Sequence, residues 1–106
     1  MLRFAFSPHA RSGRVGQVSI SFTLIVSGGH GSGCVGAHSE AVPVARPGQP
    51  VSVGVGPTEL GGPWCPGTYR ARVDELARPS CAPGQMCPQF IRIVAVFGPS
   101  GFRIER

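Results

Sequence analysis

The sequence predicts an all-β sandwich of about seven short antiparallel strands with Greek-key connections. Three observations carry this. Val18, Ile20, Phe22, Leu24 and Val26 alternate with Gln17, Ser19, Ser21, Thr23 and Ser27, with Ile25 the single exception. That is the period of a half-buried strand, and its β-branched residues suit the state. Second, the stretch Trp64-Cys65-Pro66-Gly67-Thr68-Tyr69 turns at Pro66-Gly67. It then sends Tyr69, Ala71 and Val73 to one side and Arg70, Arg72 and Asp74 to the other. Third, Gly 16 and Pro 11 are spread along the chain and punctuate short segments. Helical periodicity is absent but for one candidate turn over residues 74–77.

Taken in order, Leu2, Phe4 and Phe6 alternate with Arg3, Ala5 and Ser7 as a first strand stopped by Pro8. Residues 9–16 read as a polar connection. The strand over 18–27 follows, then a Gly-rich loop over 28–33. Val35, Ala37, Val42 and Val44 fit one or two short strands. Residues 46–50 form a turn rich in Pro and Gly. Val51, Val53 and Val55 make another strand, and a loop over 57–63 leads to the strand over 68–75. A loop over 79–88 is followed by a strand over 90–97, one face of which is expected to be buried together with Val18, Ile20, Phe22, Tyr69, Ala71 and Val73. Gly98-Pro99-Ser100-Gly101 interrupts it, as a bulge or the turn into a last hairpin arm.

A chain of 106 residues makes one domain with one modest core. No apolar run reaches membrane-span length. The net charge is +5, and every basic residue is Arg. Unclustered, these charges do not argue for nucleic acid. Cys 4 in a short, loop-rich chain points to an oxidising compartment. Residues 1–10 hold no apolar core of a signal peptide. The reading therefore expects a leader upstream, or a module of a longer exported or cell-surface protein.

Four Cys allow three connectivities. Cys34–Cys65 and Cys81–Cys87 are favoured, because a sandwich can bring the first two together and the second two enclose a short loop. No Cys-x2-Cys pair or zinc-finger His spacing is present, so no metal or other cofactor is expected. His30, Cys34 and His38 are the one candidate metal loop, weighed against a solvated Gly-rich loop. Catalysis finds no foothold. Asp74 and Glu75 are adjacent and point to opposite faces of a strand, and no Gly-x-Ser-x-Gly elbow occurs. Arg70 and Arg72 share a face that Arg92 could join, a candidate anion-binding stripe for an acidic glycan. The blander reading is a solvated sheet face.

At Pro66-Gly67-Thr68-Tyr69 the sequence resembles the entry to strand F of bacterial immunoglobulin-like, fibronectin type III-like and PKD-like extracellular domains. Trp64-Cys65, Cys81-x5-Cys87-Pro88 and the Phe-rich last strand look like cysteine-bearing modules of exported actinobacterial proteins. The resemblance implies an immunoglobulin-like Greek-key sandwich over residues 1–106, with Trp64, Gly67 and Tyr69 forming a structural corner. It implies a non-enzymatic spacer or adhesion unit. Its partners would be neighbouring domains of the same protein or a surface ligand. Antibody-type domains place Cys two residues after the Tyr; here that position is Ala71. No catalytic residue carries over.

Overall fold

The computed structural model describes residues 2–16, 18–55, 63–79, 84 and 91–104. Those residues form strands joined by turns, with no helix among them. β1 (Leu2–Phe6) pairs antiparallel with β5 (Val51–Val55) in a two-stranded sheet. β2 (Gly13–Val15), β3 (Val18–Ser27), β4 (Ala37–Ala41), β6 (Gly67–Pro79) and β7 (Arg92–Ile104) make the second, also antiparallel. Its order is β2-β3-β6-β7, with β4 also on β3. One edge of β3 is paired by β6 along its whole length. The other is divided, β2 taking Val18–Ile20 and β4 taking Thr23–Ser27.

The alternation seen in the sequence decides which faces meet. Phe4 and Phe6 from the small sheet pack against Phe22, Leu24 and Val26 of β3 and against Tyr69, Ala71 and Val73 of β6. Val42 and Val44, just past β4, complete the buried cluster. The Phe6 ring lies 5.1 Å from Phe97 and 6.0 Å from Phe22. Burying such side chains is worth about 1.5–3 kcal/mol each, so this cluster is the main source of stability.

Several expectations change. The connection over 9–16 contains β2, a short strand that β3 recruits through the Gly16 turn. No helical turn forms at 74–77. β6 runs on to Pro79 because β3 and β7 both satisfy its backbone there. β7 is continuous through Gly98–Gly101 and carries two irregularities. Val73 pairs Phe97 and Ala71 pairs Ser100, so β7 has one extra residue between them; Val94 is a second.

Among the described residues, the expectation that Val18 and one face of 90–97 enter the core holds only for Phe97, which packs against the cluster, and Phe90 lies outside the described residues. Val18, Ile91, Ile93, Val94 and Val96 are exposed. The reason is coverage: β1 and β5 are five residues each, whereas β6 and β7 are thirteen. The small sheet cannot cover the far end of the large one. The expected Cys81–Cys87 bridge lies outside the described residues.

Candidate functional site

Polar and aromatic side chains gather at the corner where β6 begins. Gly67 opens the strand at φ +143°, a conformation that L side chains rarely adopt. Two residues on, the Tyr69 side chain is fully buried. Its hydroxyl donates to the Cys65 carbonyl at 2.5 Å and lies 3.3 Å from the Val35 carbonyl. The first contact is the one expected of a corner tyrosine, since a buried phenol needs an acceptor close by. Burial pushes the Tyr69 phenol above its ordinary value, because the phenolate would lose its hydration there.

Around that ring the chain is cross-tied. Trp64 meets Tyr69 edge-on at 5.1 Å and 87°, and Phe102 stacks on it at 5.2 Å and 14°. Val35 and Trp64 form an isolated parallel bridge, with Val35 N–H donating to the Pro63 carbonyl and Cys65 N–H to the Val35 carbonyl. Beside it Cys34 and Cys65 are disulfide-bonded, with Cα atoms 4.9 Å apart. That pairing is the favoured one from the sequence. Gly29 of the 28–33 loop and Gly36 just beyond it also have a structural use: a Cβ on Gly29 would run into the Tyr69 hydroxyl, and one on Gly36 into the Gly29 carbonyl. From the sequence, residues 28–33 read only as a Gly-rich loop. The signal available was the co-occurrence of Gly28-Gly29 with a Tyr that needed a close-packed pocket.

The His30, Cys34 and His38 set is not assembled. Cys34 sulfur is committed to Cys65, and His30 is exposed. His38 sits on β4 beside Glu40, its Nε2 3.7 Å from Glu40 Oε2, buried and without a hydrogen-bond partner among the described residues. Among the described residues no three His, Cys, Asp or Glu side chains gather where they could share a metal ion.

The arginine face is also divided. Arg70 and Arg72 alternate outward on β6 and are exposed. Arg92 pairs opposite Ala77, whereas Arg70 pairs opposite Gly101, so β7 carries Arg92 to the other end of the ladder. Arg103, opposite Thr68, is the β7 arginine beside Arg70. Arg72 Nε donates to Asp74 Oδ1 at 3.0 Å, and Asp74 is buried at 3% exposure. Its guanidinium therefore balances a buried carboxylate, which would be costly to leave unpaired. A shallow groove of about 430 Å³ lies between the end of β4 with Val42 and Pro43 on one side and β5 on the other, and Glu40 is the ionisable residue among its described lining.

Among the described residues no helix is long and apolar enough to cross a membrane. The chain matches no family model, no curated protein and no solved structure.

Proposed function

We propose that this chain is a non-enzymatic, immunoglobulin-like Greek-key module of an exported or cell-surface protein, serving as a spacer or adhesion unit. The observation that carries the reading is the Cys34–Cys65 bridge built into the Tyr69 corner. A disulfide wired into the core architecture suits an oxidising compartment. Strand connectivity adds support. β1 and β5 share one sheet while β3, β6 and β7 share the other, with β6 central. Immunoglobulin sandwiches distribute strands B and E, and C, F and G, in the same manner. Two departures mark a variant of that plan: β2 hairpins onto β3, and the bridge joins two corner segments instead of the two sheets. An acidic-glycan role for the arginine face is weakened by the tie between Arg72 and Asp74.

The test is the dependence of folding on the bridge. Protein exported through an oxidising compartment should show Cys34 linked to Cys65 in a non-reducing peptide map. The sequence separation is 31, so reduction should remove about 3–4 kcal/mol by the loop-entropy relation. A chelator should leave the unfolding curve in place. Equal stability with and without reductant would remove the main support for the exported-module reading.

A further inference from the structure

The two halves of the Cys34–Cys65 bridge sit in unlike surroundings. Cys65 is buried at 1% exposure, beneath the Tyr69 corner. Cys34 is half-buried and follows residues 30–33, which are all exposed. Gly31 passes directly beside it: a Cβ there would stand 2.9 Å from Cys34 Sγ and 3.8 Å from Cys65 Sγ. With no side chain at position 31, nothing from that residue covers the outer sulfur. The two segments are also tied a second time, without sulfur. Val35 N–H donates to the Pro63 carbonyl at 2.8 Å, and Cys65 N–H to the Val35 carbonyl at 2.9 Å. The Tyr69 hydroxyl reaches the Cys65 and Val35 carbonyls, one from each segment.

We propose that this bridge is a thiol-exchange site, entered at Cys34, that opens and closes on a folded chain. The co-reactant is a small soluble thiol. Its thiolate attacks Cys34 Sγ and bonds to it, the Cys34–Cys65 bond breaks, and the electron pair leaves on Cys65 Sγ. Cys65 then takes up a proton, matching the one the incoming thiol gave to solvent. The products are a mixed disulfide on Cys34 and a thiol at Cys65. A second small thiolate, attacking the incoming sulfur, frees Cys34 and carries off a symmetric small-molecule disulfide. Attack by Cys65 on Cys34 Sγ of the mixed disulfide recloses the bridge instead. Solvation alone favours the opposite order, because water stabilises a departing thiolate better at Cys34. Access decides against it: the attacker must touch the sulfur it attacks, and Cys65 offers it almost no surface. Once formed, the Cys65 thiol is a small apolar side chain suited to its buried place. The hydrogen bonds keep the two segments in register, so the cysteines stay neighbours and reclosure is intramolecular. The inference uses the bridge but not the exported-module reading, which needs only that the bridge forms.

The test starts from the oxidised chain and reduced glutathione. Samples are quenched in acid and cut after Glu40, Glu59 and Glu75, which places Cys34 and Cys65 on different peptides and apart from Cys81 and Cys87. Glutathione should sit on Cys34 in about tenfold or greater excess over Cys65. In the fully reduced wild-type chain, slow amide exchange at Val35 and Cys65 should persist, and removing the reductant in air should restore the bridge. In Cys34→Ser, iodoacetamide should spare Cys65 until denaturant is added. In Cys65→Ser it should modify Cys34 in the folded chain. Should either variant fail to fold, the wild-type measurements stand alone. Glutathione shared evenly or favouring Cys65, no exchange short of denaturation, or loss of amide protection on reduction would each overturn the proposal and leave the exported-module reading in place. A chain that forms no Cys34–Cys65 bridge removes both.

Discussion

Replacing Gly29 by Ala adds one methyl group at the most crowded point of the corner. Gly29 is buried, and its φ lies outside the left-handed region, so the backbone itself tolerates Ala. The difficulty is steric. The new Cβ would overlap the Tyr69 hydroxyl oxygen, with Tyr69 Cζ at 2.5 Å and Cys65 Cβ at 2.9 Å. None of these atoms retreats easily, since the ring is held between Trp64 and Phe102 and Cys65 is bridged. Overpacking of this kind costs about 1–3 kcal/mol. Displacing the hydroxyl from the Cys65 carbonyl adds about 1 kcal/mol. Against this, Ala restricts the unfolded chain and returns about 0.4–1 kcal/mol. The net expectation is a loss of about 1–3 kcal/mol. Tyr69→Phe alone should also cost about 1–3 kcal/mol, because it leaves the Cys65 carbonyl without its donor. In the double variant the worst overlap is gone, so the two losses should fall short of additive by about 1 kcal/mol. Urea unfolding followed by Trp64 fluorescence suits the measurement, since that ring touches Tyr69. A Gly29→Ala protein as stable as wild type, or strictly additive losses, would refute the packing argument.

Two further outcomes follow from the core and from the buried phenol. Phe22→Ala empties a site at 1% exposure between Phe6 and Phe97; it should cost about 3–5 kcal/mol in chemical denaturation, and a loss under about 1 kcal/mol would mean Phe22 is not in the core. The Tyr69 phenol is raised above 10.0 in the folded state, so the unfolded chain ionises first as the solution turns alkaline. Stability should therefore be unaffected by this group below pH about 10 and fall as pH climbs through the folded value. Ultraviolet absorbance of phenolate follows this side chain alone, because the chain has Tyr 1; an ordinary titration in the folded protein would contradict the burial.

Strands with strict alternation were legible because burial on one face leaves a period of two. β3 and the Tyr69, Ala71 and Val73 face of β6 are the clear cases. The favoured Cys34–Cys65 pairing was legible as well, because both residues lie in or beside loops that the expected fold class can bring together. The far half of β7 was misread for an instructive reason. Ile91-Arg92-Ile93-Val94-Ala95-Val96 is written in core residues, but burial depends on whether a second layer reaches it. β1 ends at Phe6 and β5 at Val55, and their lengths set that reach. The register that parts Arg92 from Arg70 was hidden too, since it turns on bulges whose extra residues, such as Val94, look ordinary in sequence. β2 escaped because three residues are too few to show a period.

The Cys34–Cys65 bridge has a mechanical consequence as well. Everything between the two cysteines, including β4 and β5, lies inside a covalent loop with a sequence separation of 31. Force applied at the two ends of the chain bypasses that loop through the sulfur atoms. About 100 Å of contour length is thereby withheld from extension, at roughly 3.4 Å per residue. β1 can be peeled from β5, and β7 from β6, but β5 itself cannot be drawn out. A domain under tension would yield from its flanks and stop at a fixed extension, with the segment that re-forms the small sheet still folded back beside the large one.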